Sequence, residues 1–118
     1  MDHYEVCEQL KLWFRLQMQY KGWFLFQNNT GYASVEHVKY GMPSCGGGSD
    51  FLAFGCGQTE FFEVKTVKSP TLNKKQKTFI KNMVGQGFKC WVFKEMEQEP
   101  YFYIVPAEKY RPFKKWVY

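Results

Sequence analysis

Three features of the 118-residue sequence predict an α/β fold, a mixed central sheet of about five strands flanked by helices in the order αβββαβ. Two stretches free of Gly and Pro repeat their apolar residues at helical spacing. Between and after them run short aromatic and β-branched segments bounded by turn residues, the mark of strands. The length is that of one typical domain, so residues 1–118 are read as a single unit with 107–118 as a basic, aromatic tail.

The first helix is expected from Tyr4 to Tyr20, where Leu12, Leu16 and Tyr20 recur at four-residue steps with Trp13 beside them, and it should stop near Gly22. Trp23 to Phe26 reads as a strand running into the loop residues Gln27, Asn28 and Asn29, and Tyr32 to Tyr40 as a further strand of weak pattern. Gly41 to Ser49, with its Gly46-Gly47-Gly48 run, lets backbone approach a ligand closely and is read as an active-site loop. Phe51 to Cys56 and Glu60 to Thr66 form two strands about a Gly57-Gln58 turn. After Ser69-Pro70, a second helix runs from Asn73 to Val84, with Gln76, Phe79, Ile80 and Met83 on one face, and Gly85 and Gly87 end it. Phe88 to Lys94 and Tyr101 to Val105 are the last strands, and Pro106 closes the second of them.

Sixteen basic against eleven acidic residues give a net charge of +5, which favours a polyanionic partner. The four cysteines form no CxxC pair, so a zinc site is not expected. The first residues, with Asp2, His3 and Glu5, lack the pattern of a secretory leader. No apolar run approaches the ~20 residues that span a bilayer. A reduced, cytoplasmic protein with no membrane partner is the expectation.

Chemistry concentrates in Phe61-Phe62-Glu63-Val64-Lys65. Strand alternation puts Phe61, Glu63 and Lys65 on one face and Phe62 and Val64 on the other. With Gly57-Gln58 as the turn, Cys56 pairs with Thr59, Leu52 falls opposite Glu63, and Asp50 falls opposite Lys65. Asp50 then lies diagonally from Glu63 on the same face, roughly 7–8 Å away along the backbone. Two carboxylates so placed repel unless a divalent cation lies between them, and hard Mg2+ or Mn2+ suits such oxygen ligands. A cation there activates water toward a phosphodiester, with Lys65 orienting that water or stabilising developing negative charge. Taken alone, an ExK strand is more often a cross-face salt bridge.

Further segments narrow the reading. Gly41-Met42-Pro43, Gly48-Ser49-Asp50-Phe51-Leu52, Phe62-Glu63-Val64-Lys65-Thr66 and Leu72-Asn73-Lys74-Lys75-Gln76-Lys77-Thr78-Phe79-Ile80 follow one another at a rough spacing that resembles the virus-type replication-repair nuclease (VRR-NUC) branch of the PD-(D/E)XK nucleases, especially its small stand-alone phage type. The likeness runs from about Gln27 to Phe93. It implies a restriction-endonuclease-like core and a Mg2+- or Mn2+-dependent DNA endonuclease for branched replication or repair structures such as Holliday junctions. By analogy it implies a homodimer, located in a bacterial host cell if phage-encoded. The family's catalytic positions fall on Asp50, Glu63 and Lys65, with Asp50, Glu63 and the Val64 carbonyl as metal ligands and Gln76 as the helix glutamine. Two departures stand out: Ser49 replaces the proline that usually precedes the aspartate, and the Cys45 to Gly48 insertion is long. The family also carries a glutamate on its first helix, for which Glu8 is the candidate and Glu5 the alternative.

Plainer readings stand beside these. Glu8 suits the positive end of a helix dipole, and Asn73-x-x-Gln76 is a capping-box pattern. Lys74, Lys75, Lys77 and Lys81 are a solvated face or, in a nuclease, a phosphate track. In the tail, Lys114 and Lys115, among Tyr110, Phe113 and Trp116, contact nucleic acid, or those rings pack on the core or on a second subunit. His3 and His37 sit in no ligand pattern. The alternative function is a catalytically inactive nucleic-acid-binding module on the same fold.

Overall fold

The computed structural model describes residues 1–28 and 49–112. The strand expected over Tyr32 to Tyr40, most of the Gly-rich loop, and Lys114 and Lys115 lie outside the described residues.

Asp2 caps the first helix, α1 (His3–Gln17), by accepting from the Glu5 N–H at 2.8 Å, and the Glu5 carboxylate accepts in return from the Asp2 N–H at 3.1 Å. This capping box satisfies two orphan donors of the first turn. A 3-10 turn, Gln19–Lys21, ends at Gly22, whose φ of 86° is in the left-handed region that glycine adopts freely. Four strands and a helix follow in the order β1 (Phe24–Gln27), β2 (Phe51–Gly55), β3 (Gln58–Lys65), α2 (Lys74–Gly85) and β4 (Lys89–Glu95). The fifth strand, β5 (Phe102–Pro106), leads into a short 3-10 helix, Ala107–Lys109. α2 closes as a Schellman motif, with Phe88 N–H donating to the Met83 carbonyl and Gly87 N–H to that of Val84.

The strands form one five-stranded mixed sheet in sequence order, antiparallel except for β3 and β4, which run parallel with α2 between them. Each helix covers one face. Val6, Cys7, Leu10 and Phe14 of α1 pack with Trp23 on Phe51, Ala53, Phe62, Val64 and Phe93. Phe79 and Ile80 of α2 pack on Phe61, Cys90, Val92 and Val105, together with Leu72, Ala107 and Tyr110. Strand alternation thus assigns Phe62 and Val64 to the α1 side and leaves Phe61, Glu63 and Lys65 on the α2 side. Among the described residues no helix is long and apolar enough to cross a membrane.

Two expectations are corrected. The β2–β3 turn is Cys56-Gly57, so Gly55 pairs with Gln58, Phe54 with Thr59 and Leu52 with Phe61. Cys56 and Gly57 have φ of 51° and 71°, the paired positive values of a type I′ turn whose twist matches that of the strands. Gly55, the last paired residue of β2, must stay glycine because a Cβ there would meet the Trp23 ring at 2.3 Å. The register therefore slips by two residues, which preserves the face of every side chain. On α1 the buried stripe is Val6, Leu10 and Phe14, while Leu12, Leu16 and Tyr20 are exposed. The helix ends at Gln17, so Tyr20 is not on it.

We predict that Leu10→Ala lowers the unfolding free energy by about 2–5 kcal/mol, whereas Leu12→Ala and Leu16→Ala each stay within about 0.5 kcal/mol of the parent. Urea denaturation of the three variants checks the assignment of the helix face.

Candidate functional site

Continuing the β2–β3 register one residue past Phe51↔Phe62 sets Asp50 directly across from Glu63, closer than the diagonal expected from the sequence. Asp50 is not opposite Lys65, nor Leu52 opposite Glu63, because the turn sits one residue earlier in the chain. The Asp50 side chain is held from two sides: Oδ2 accepts from the Val64 N–H at 2.8 Å, and Oδ1 lies 3.3 Å from His3 Nε2 at the start of α1. Asn28 secures the same corner, its backbone N–H donating to the Asp50 carbonyl and its side-chain amide to the Ser49 carbonyl.

Glu63 is only 3 % exposed. Its Oε1 accepts from Gln76 Nε2 at 2.9 Å, whereas its buried Oε2 has no hydrogen-bond donor. The Gln76 amide serves two masters: its Oε1 accepts from the Asn73 N–H to close the α2 capping box, which turns its NH2 toward Glu63. The helix cap therefore fixes which end of the amide faces the carboxyl group.

Burial, the contact with Asp50 and the Asp50 charge push the Glu63 carboxyl from its usual 4.5 up to about 10, against the opposing pull of Lys65 and of the Gln76 hydrogen bond. Two carboxyl groups in contact are stable only with something positive between them, a proton or a cation. An oxygen donor set with one unsatisfied buried oxygen fits a hard divalent cation, which retains several waters and needs few protein ligands. Among the described residues no group of three or more His, Cys, Asp or Glu side chains converges to enclose an ion. Asp50 and Glu63 with the Val64 carbonyl are the residues able to hold one.

Lys65 is buried on the same face as Glu63. Across the parallel β3–β4 pair its neighbour is Lys94, also buried, which donates to the Glu95 carbonyl and whose pKa burial lowers against the pull of Glu95 and Glu97. Lys74, Lys75, Lys77 and Lys81 line the exposed side of α2. Glu8 does not join the carboxylate pair. It bonds Lys11 at 2.9 Å and lines a separate cleft with Leu12, Arg15, Leu25 and Phe51. Glu5, the alternative, is committed to the α1 cap.

Sequence reasoning missed His3 and Lys94. His3 carries no ligand spacing, and only the approach of the α1 start to Asp50, just before β2, reveals it. Lys94 ends the apolar run Cys90 to Phe93, and a lysine in phase with the buried Val92 is a signal that was available. Cys7 and Cys90 are pushed up to about 12, chiefly by burial, so neither thiol is ionised at neutral pH to act as a nucleophile. Scans against protein-family models and curated proteins return no match for this chain.

Because the folded state holds the Glu63 proton more tightly than the unfolded chain, this group's contribution to stability is full below 4.5 and is lost as pH rises toward about 10. In EDTA, the wild-type melting temperature should fall across this window relative to that of Glu63→Gln, whose neutral amide has no proton to lose. Equal slopes for the two proteins in calorimetric melts would show that Glu63 titrates normally.

Proposed function

We propose that the chain is a divalent-metal-dependent deoxyribonuclease that hydrolyses phosphodiester bonds in branched DNA. The observation that carries this reading is the carboxyl pair of half-buried Asp50 and buried Glu63, with Glu63 Oε2 lacking a donor, on the sheet face that also buries Lys65. Structural ion pairs also perturb carboxylates, but they satisfy their oxygens with cationic side chains. Here two acids are pressed together and one oxygen is left over.

Asp50, Glu63 and the Val64 carbonyl would hold Mg2+ or Mn2+, which when bound supplies Lewis acidity at the phosphoryl oxygen and makes water acidic enough to attack at neutral pH. Lys65 offers an ammonium on the same face to orient that water or offset charge growing on phosphorus. Gln76 holds Glu63 in its rotamer and so acts as a positioning residue. The exposed lysines of α2, whose first turn carries Gln76, supply a phosphate track that sets register without reading sequence. The observed order αβββαββ, which contains the αβββαβ succession, with an Asp and an ExK strand supports a PD-(D/E)XK core of VRR-NUC type. From that analogy come the preference for junctions and a homodimer, in which two centres nick opposite strands.

Incubation with four-way junctions, flaps, forks and linear duplexes tests the proposal. Cleavage is expected with Mg2+ or Mn2+ and none in EDTA. Asp50→Asn, Glu63→Gln and Lys65→Ala should each lower the rate by at least about 100-fold while remaining folded. Metal-independent binding to the same DNAs with no cleavage in any metal would instead favour an inactive binding module.

A further inference from the structure

The α2 side of the sheet carries a second feature. Phe24, Phe26 and Phe54 are 60 %, 56 % and 41 % exposed, and the rings of Phe26 and Phe54 meet edge to face at 5.5 Å. Phe24 pairs with Phe54 across β1 and β2, and Phe26 pairs with Leu52. Since Leu25, Phe51 and Ala53 turn into the α1 core and Leu52 packs toward the α2 core, pleating sends all three phenylalanines to the side that carries Glu63 and Lys65.

The strip adjoins the carboxyl pair. Phe26 is level with Leu52, which stands two residues from Asp50, so the rings begin roughly 7 Å of strand from that backbone position. Its chemistry also selects an occupant. Phe24–Gln27 and Phe51–Gln58 contain no charged residue, and on this face the two strands present Phe24, Phe26, Leu52 and Phe54, with Thr59 of β3 across from Phe54. The outside of a DNA duplex presents phosphates and calls for cations, which this strip lacks. Unpaired bases present neutral π-faces that stack on aromatic rings.

We propose that Phe24, Phe26 and Phe54 are a stacking platform for unpaired bases of a DNA strand whose backbone enters the Asp50–Glu63 centre. The inference rests on the nuclease reading and refines its substrate: the strand cut carries unpaired bases beside the scissile phosphate, as at a flap, a fork or an opened junction. The platform selects single-stranded character, while the α2 lysines supply the charge that binds any DNA. A continuous helix would keep its bases stacked on one another and gain nothing from the rings.

Fluorescence anisotropy in EDTA with a labelled oligothymidylate and a blunt duplex of equal length tests this without cleavage. Phe26→Ala and Phe54→Ala should each weaken oligothymidylate binding by about tenfold and leave duplex binding and the melting temperature unchanged. Phe26→Tyr, which restores a ring, should bind as the parent does. Equal losses on both DNAs, or no loss on either, would overturn the platform. So would sedimentation showing that the alanine variants turn a dimer into a monomer with unaltered oligothymidylate affinity, which would make the strip an interface between copies of this chain. The metal-dependent cleavage assay separates the two claims. Ring-dependent binding with no cleavage supports the platform and sinks the nuclease reading, whereas normal binding by the variants with cleavage intact does the reverse.

Discussion

Two carboxyl groups pressed together at the end of a β-hairpin repel unless positive charge lies between them, and the Asp50–Glu63 contact imposes that condition on the whole site. In water the pair would separate. Here Glu63 is buried beneath α2, and Asp50 is tethered by the Val64 N–H, so neither can withdraw cheaply. A proton satisfies the requirement, and under the nuclease reading a divalent cation would do so while also taking up the Glu63 oxygen that no donor reaches. The arrangement is costly for stability, as strained functional sites are, and the two helix-covered cores on either side of the sheet offset it.

The scaffold around the pair does several jobs with few residues. Gln76 closes the N-terminus of α2 and holds Glu63 with the same amide, so forming the helix also orients the carboxyl group. α1 contributes at its own N-terminus, where His3 reaches Asp50. On the far side of β3 the parallel register sets Lys94 beside Lys65, which concentrates two buried ammonium-bearing residues next to two acids.

How much of this was legible depended on whether a contact was local. The hairpin parity survived because a two-residue slip moves no side chain to the other face, so Asp50 and Glu63 were placed together despite the misread turn. Cys56 defeated the turn assignment, since a non-glycine residue at positive φ is not announced by composition. The Asn73–Gln76 capping box is a four-residue pattern and could be read directly. The α1 face could not, because two apolar stripes compete on that helix and only packing on Phe51, Phe62 and Phe93 selects Val6, Leu10 and Phe14. His3 against Asp50 is a long-range product of the fold that no spacing in the chain encodes, and although the phase of Lys94 with Val92 marks it as buried, its place beside Lys65 comes only from the parallel register.

The central claim is that Asp50 and Glu63 share one positive charge, which a divalent cation can replace. Titration calorimetry of Mn2+ into the protein near neutral pH, repeated in buffers of different ionisation enthalpy, measures the protons set free by each bound ion. About one proton per ion is expected from the wild type, and none from Glu63→Gln. Saturable Mn2+ binding with no proton release, or identical release from the variant, would contradict the account.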